Sequence, residues 1–356
     1  MESKSSGSTL LNINSRKARR GASVGDQALH GGANTASRGP WAGFALACKF
    51  ALGAGLLLFV ARSTNWSQFW QLLSRTRPGP FAAAFLLFLA ACALTVVRWR
   101  VLLGAFPRTP SLSLLMRISF IGIFLNTFLP GGVAGDVVRG LRIQDKARGQ
   151  APGFASIFTD RFLGLCGLSL LAIGGAGMIS RDLVEAGLHG IFLTIIGVLL
   201  TAGAFFYSRR IGKLLVSPLA RFGKIGARAG RFLEAIRIYR THGWRVGLAL
   251  GVTFASHALF VVGIVILARS LQIDLPWKHF LAFVPVIALL SAVPLSVNGL
   301  GIREAGYVLL FTRVGVVQEQ ALTLSFLHFG LLLLLGLVGG AILVAEELLG
   351  RRKVAR

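Results

Sequence analysis

Two long apolar stretches of this chain are each broken by proline and glycine, and each carries ionisable side chains just beyond the break. The first reads NTFLPGGVAGDVVRG over residues 126–140, the second AVPLSVNGLGIREAGYV over residues 292–308. Sequence this apolar belongs in a bilayer. There, non-helical backbone persists only where it is buried in protein or lines a wet cavity. Ionisable residues at that depth are rare and mark functional sites. Two such breaks in separate halves of a chain point to a transporter-like site built from discontinuous helices.

Composition supports the membrane reading. Of 356 residues, 54% are hydrophobic and 14% charged, against about a quarter charged in a soluble domain. Apolar runs at 43–60, 81–97, 156–178, 188–206, 246–268 and 322–345 approach or exceed the roughly 17–25 residues that cross a hydrocarbon core. The fold class is therefore all-α, a polytopic helical membrane protein. The formal charge of +25 would indicate nucleic acid in a soluble protein. Here it reads as Lys and Arg gathered in cytoplasmic loops for orientation, and no nucleic-acid partner is expected.

Charge bias also sets the threading. The segment 208–245 holds Arg209, Arg210, Lys213, Arg221, Lys224, Arg228, Arg231, Arg237, Arg240 and Arg245 against Glu234. If every apolar run crossed, this segment would face outward, against the positive-inside rule. If the first broken segment enters and leaves on the cytoplasmic side, parity flips and the basic segments fall inside. The second must then enter from the outer face. The expectation is about six full spans plus two oppositely entering re-entrant hairpins, an inverted-repeat arrangement. Both termini are cytoplasmic in this scheme, in the inner or plasma membrane. The domain scheme is a disordered basic tail at 1–42, a membrane domain at 43–349 and a basic tail at 350–356. Within 208–245, Ile211, Leu214, Leu215, Leu219 and Phe222, then Phe232, Leu233, Ile236 and Tyr239, recur at helical spacing among arginines. That pattern reads as a basic amphipathic cytoplasmic loop, either a contact for anionic phospholipid headgroups or a simple topological anchor.

In the first hairpin, Pro130 should end the incoming helix near Leu129. Gly131 and Gly132 permit the reversal, and a second helix starts near Val133. Its free N–H groups favour anions. Asp136 and Arg139 share a face and can pair, whether as a site or only to neutralise each other. In the second hairpin, Pro294 breaks the helix, and Asn298, Gly299 and Gly301 turn. Arg303 and Glu304 then open the outgoing half-helix. Adjacent helical residues do not face each other, so this pair is expected to seek partners elsewhere. Asp160 and Arg161 form a further acid–base pair inside a span, with Arg161 able to snorkel. Arg98 and Arg100, flanking Trp99, read mostly as anchors at a span end, with Arg98 also a secondary site candidate. His257 and His328 read as interhelical hydrogen-bonding residues. Cys48, Cys92 and Cys166 read as buried small hydrophobes, with neither disulfide nor zinc spacing. No metal or cofactor motif, ATPase loop or hydrolase elbow occurs.

Taken in order, the motifs are Arg-Trp-Arg at 98–100, then Asn-x-x-x-Pro-Gly-Gly-x-x-Gly-Asp-x-x-Arg from Asn126. Asp-Arg-x-x-Gly from Asp160 and Pro-x-Ser-x-x-Gly-x-Gly-x-Arg-Glu from Pro294 follow. Together they resemble the lysylphosphatidylglycerol synthase transmembrane region, the flippase-like or UPF0104 membrane family, over about 43–349. The resemblance implies a helical domain with re-entrant segments that moves a lipid between leaflets. Stand-alone members accompany hopanoid, isoprenoid and glycolipid pathways. The sequence ends at Arg356, so a stand-alone member without the aminoacyl-transferase domain is expected.

The leading expectation is translocation of an anionic or zwitterionic lipid without ATP hydrolysis and without enzymatic conversion. Substrate contacts are expected from Asn126, Asp136, Arg139, Asp160, Arg161, Asn298, Arg303 and Glu304. The hinges are expected at Pro130, Gly131, Gly132, Pro294, Gly299 and Gly301. Two rivals are an enzyme acting on a lipid headgroup through Asp136, Asp160 or Glu304, and a non-catalytic partner of a biosynthetic complex that docks through the basic loop.

Overall fold

A computed structural model describes residues 40–107, 109–129, 132–143, 150–185, 188–197, 224–293 and 296–354. Among them the regular structure is helical. In chain order the helices are α1 (Pro40–Arg62), α2 (Trp66–Ser74), α3 (Pro78–Leu103), α4 (Leu112–Phe128), α5 (Ala134–Ile143) and α6 (Gln150–Met178). These are followed by α7 (Ser180–Glu185), α8 (Lys224–Thr241), α9 (Gly243–Ser270), α10 (Trp277–Ala292), α11 (Ile302–Thr312) and α12 (Gln318–Val354). Four apolar stretches, Pro78–Leu103, Pro152–Met178, Gly243–Ser270 and Gln318–Leu349, are long enough to cross a membrane. They match four of the six expected spans. Of the other two, the 43–60 run forms α1, whose segment Phe50–Arg62 is a shorter apolar helix. The 188–206 run is helical at 189–197 and then leaves the described residues.

Each predicted break separates a medium helix from a short one. Helix α4 has 17 residues and α5 has 10; α10 has 16 and α11 has 11. At 1.5 Å per residue the short members reach only about 15–17 Å, half a hydrocarbon core. Pro130, Gly131 and Pro294 lie outside the described residues.

The packing has a two-fold pattern. Helix α3 packs along α9, α6 packs on α10, and α12 packs on α4. Exchanging α3–α6 for α9–α12 returns the same set of neighbours. Glycine permits the two equivalent crossings. A Cβ on Gly339 of α12 would lie 1.9 Å from the Phe120 carbonyl of α4, and one on Gly175 of α6 would lie 2.5 Å from the Ala282 nitrogen of α10. Small residues of this kind let backbones approach where packing, not water exclusion, drives association.

The two broken segments approach each other from opposite ends of this bundle. At one end, Arg117 near the start of α4 and Arg142 at the end of α5 both pair with Glu346, near the end of α12. At the other end, Gln320 at the start of α12 donates to the Leu271 carbonyl, just before α10. Helix α8 caps the first end. It packs on α6, burying Tyr239 while Arg231, Arg237 and Arg240 face outward. Of the pattern read from Phe232 to Tyr239, Phe232 and Ile236 are half-buried and Tyr239 is buried; the earlier part, Ile211 to Phe222, lies outside the described residues. The described cysteines are unpaired, and Cys48 is exposed rather than buried.

Candidate functional site

The first tip is built by a side chain substituting for a helix cap. Helix α4 stops at Phe128, and Gly132 takes φ +63°, a left-handed backbone that glycine adopts freely. Asn126 then accepts a hydrogen bond from the Gly135 N–H at 2.7 Å, occupying one of the free donors at the start of α5. Gly135 is obligatory on space alone: a Cβ there would sit 2.0 Å from the Gly122 carbonyl.

The second tip reaches the same end by a different route. Asn298, Gly299 and Gly301 have φ of +54°, +72° and +81°. Glu304, in the third position of α11 as Asp136 is in α5, folds back and accepts from the Gly301 N–H at 2.7 Å. That fold explains a correction to the expectation for Arg303. Helical neighbours point apart, yet Arg303 donates to Glu304 Oε1 through Nε at 3.1 Å and Nη2 at 2.9 Å. The carboxylate has left its helix face to cap the N-terminus, and the guanidinium follows it, lying over the Phe329 ring at 4.6 Å.

Behind the first tip runs a chain of five charges. Arg161 donates to Asp136 Oδ2 at 2.8 Å, and Arg139 pairs with Asp136 Oδ1 at 3.3 Å. Arg139 also reaches Asp160 Oδ2 at 3.5 Å, and Arg98 meets Asp160 Oδ1 at 2.7 Å. Arg98 and Asp160 are only 5% and 3% exposed. Arg98 adds a bond to Thr253 at 3.3 Å, and Arg139 lies 4.1 Å over the Trp99 ring, whose N–H donates to Ser156. Arg98 and Trp99 are therefore interior groups, not interfacial anchors. Their burial comes from α6 and α9, which no local pattern in α3 reveals. Arg100 is exposed, as an anchor should be. Arg161 is directed to Asp136, with its side chain still 50% exposed.

The tips meet: the Asn298 side-chain amide donates to the Thr127 carbonyl. Beside that contact lies a cavity of about 650 Å³. Of the expected contact residues, Asn126, Asp136, Arg161, Asn298 and Arg303 line it, as do Gly132 and Gly299 of the hinges. Arg139, Asp160 and Glu304 stand behind this lining, each ion-paired to a neighbour within the network. Gly301 is packed against α1, where a Cβ would come within 2.4 Å of the Gly53 carbonyl.

Sequence reading missed the neutral polar part of the lining, Ser291, Ser296 and His328. Their Oγ, Oγ and Nε2 atoms are buried without a hydrogen-bond partner. His328 uses Nδ1 with the Tyr307 hydroxyl at 3.1 Å, and His257 meets the Gly164 carbonyl at 3.1 Å, the interhelical roles read for both. The only sequence signal for the serines is their position flanking Pro294. Tyr239 of α8 also buries its hydroxyl unpartnered; burial first, then the charge of Asp160, pushes its phenol above the ordinary range. Among the described residues no cluster of His, Cys, Asp and Glu is arranged to hold a metal ion.

The family model described as the lysylphosphatidylglycerol synthase TM region matches residues 41–340 of this chain. A protein named UPF0104 membrane protein, from Methanothermobacter thermautotrophicus, is 25% identical over 307 residues, covering 78% of this chain and 86% of the relative. No solved structure matches.

Proposed function

We propose that this chain, which belongs to the lysylphosphatidylglycerol synthase TM region family, moves a lipid with an anionic or zwitterionic headgroup between membrane leaflets without ATP hydrolysis. The observation that carries the reading is the cavity between the two tips, lined by Arg161 and Arg303 from separate halves of the chain. Guanidinium groups bind phosphate oxygens through paired donors, and a low-dielectric surround strengthens that contact. The helix starts at Ala134 and Ile302 add positive dipole ends on the two sides. In a bilayer, the broken pairs α4–α5 and α10–α11 are re-entrant hairpins that meet near the midplane, with acyl chains left in the surrounding lipid.

The end capped by α8 is cytoplasmic in this account, because Lys224, Arg228, Arg231, Arg237 and Arg240 crowd there. Both termini then lie on that side, and the outward arginines of α8 rest against anionic headgroups. In this reading the protein is a carrier, with Asp136, Asp160 and Glu304 each engaged by arginine and holding the guanidinium groups in place.

The test is leaflet exchange of labelled phospholipid in vesicles reconstituted with the full chain. Wild type should exchange lipid well above protein-free vesicles. Arg161→Ala, at a cavity-lining side chain that is half exposed, should fall towards the protein-free rate while keeping a monodisperse profile in detergent. Exchange at the wild-type rate in that variant would remove the proposed site.

A further inference from the structure

We infer that α2 is an interfacial helix on the outer membrane face, with Trp66 and Trp70 seated at the boundary between lipid headgroups and acyl chains. That the face is the outer one rests on the orientation proposed above. That the partner is a lipid surface follows from α2 itself and from its place in the fold.

The two-fold pattern of the bundle extends to the helix that precedes each half. Exchanging α3–α6 for α9–α12 turns the packing of α8 on α6 into the packing of α2 on α12. Helix α8 runs directly into α9, and α2 is followed closely by α3. The two helices are counterparts at opposite ends of the bundle. Hydrogen bonds hold α2 level with the first turn of α12. The Asn65 N–H donates to Glu319 Oε1 at 3.0 Å, and Gln318 Nε2 donates to Ser63 Oγ at 2.8 Å. The Asn65 side chain caps α2 by accepting from the Gln68 N–H at 3.2 Å.

The apolar side of α2 is wider than the protein it packs on. At 3.6 residues per turn, Trp66, Phe69, Trp70, Leu72 and Leu73 take one side, and Ser67, Gln68, Gln71 and Ser74 the other. Phe69 is buried with Val60 of α1 and Leu322 of α12, and meets the Phe326 ring edge-on at 5.2 Å. Trp66 and Trp70 flank Phe69 at 5.5 and 5.3 Å, yet remain 43% and 60% exposed. Phe326, also exposed, carries this surface onto the membrane-spanning helix α12. The occupant of the tryptophans must therefore be continuous with the acyl chains around α12, and the bilayer is.

The chemistry of α2 fits that position. An indole joins a large apolar ring to one N–H donor and favours the membrane–water boundary. Helix α2 carries no charged side chain, while exposed Arg62, Arg75 and Arg77 bracket it and can reach lipid phosphates. Its Ser and Gln side is left to water. With α8 at the other end, the bundle is pinned at both faces through α12 and α6.

Spin labels on the full chain in phosphatidylcholine vesicles test this contact without requiring transport. Trp70→Cys and Gln68→Cys are made separately in a background with Cys48, Cys92 and Cys166 replaced by alanine, and Trp66→Cys is a second probe of the aromatic side. Oxygen, which concentrates in lipid, should relax the label at 70 or 66 more strongly than a water-soluble nickel chelate. The order should reverse at 68. Stronger relaxation by the chelate at both aromatic positions overturns the inference. Exclusion of both reagents there also overturns it, since a protein surface, including a second copy, would then be the occupant. A membrane-impermeant thiol reagent should modify Gln68→Cys in right-side-out membrane vesicles before lysis. Modification only after lysis overturns the outer placement and the proposed orientation with it. Loss of leaflet exchange bears on the translocation reading alone, because none of these readouts depends on it.

Discussion

Arg98 donates to Asp160 at 2.7 Å from 62 residues earlier in the chain, with both side chains withdrawn from solvent. This pair fastens α3 to α6 directly behind the first tip. Breaking a buried pair from one side costs about 3–5 kcal/mol, because the other charge is stranded. Arg98→Ala leaves Asp160 with Arg139 and belongs at the lower end of that range. Asp160→Ala strands two arginines and belongs at the upper end. Thermal unfolding midpoints in detergent should fall in that order, Asp160→Ala lowest.

The Arg142–Glu346 pair offers a contrast. Its side chains are 37% and 28% exposed, and half-exposed pairs contribute about 0–1 kcal/mol. Glu346→Gln should therefore leave the unfolding midpoint nearly unchanged and abolish any salt dependence contributed by this pair. A loss as large as that of Arg98→Ala would mean that the end of α12 is buried more deeply than described.

Glycine contacts make a sharper packing prediction. Gly339→Ala must push the Phe120 backbone away, whereas Gly174→Ala meets nothing within 4 Å. Overpacking costs typically about 1–3 kcal/mol, more when the obstacle is backbone. Gly339→Ala should lose much of its monodisperse yield on size-exclusion chromatography, with Gly174→Ala indistinguishable from wild type.

Tyr239 predicts a change of the opposite sign. Its hydroxyl is buried without a partner beside Asp160, and an unsatisfied buried polar group is a cost of about 1–3 kcal/mol. Tyr239→Phe removes that group and keeps the ring that packs edge-on against Phe106. Its unfolding midpoint should equal or exceed wild type. A clear drop would show that the hydroxyl has a partner in solution.

Much of the site is legible in sequence because proline and glycine act locally. The ends of α4 and α10, the starts of α5 and α11 and the positive φ at Gly132, Gly299 and Gly301 all follow from short-range rules. The Asp136–Arg139 pairing follows from helix spacing. Arg98 and Trp99 were misplaced because burial is set by partners far along the chain, while a span end looks the same locally whether it anchors or packs. Arg303 was misassigned because the face rule holds only while a side chain stays on its face, and Glu304 leaves its own to cap the helix. That Ser291, Ser296 and His328 line the site is not legible locally, since an unpaired polar atom is a property of the assembled cavity and not of its neighbours in sequence.

Blocking the cavity tests the central claim most directly. Ala292 lines it, so Ala292→Cys in a background with Cys48, Cys92 and Cys166 replaced by alanine places one thiol there. Leaflet exchange is then measured in reconstituted vesicles before and after reaction with a bulky methanethiosulfonate, and again after reductant. The account predicts loss of exchange on modification and recovery on reduction. Exchange that continues at the unmodified rate with the thiol fully labelled would contradict it.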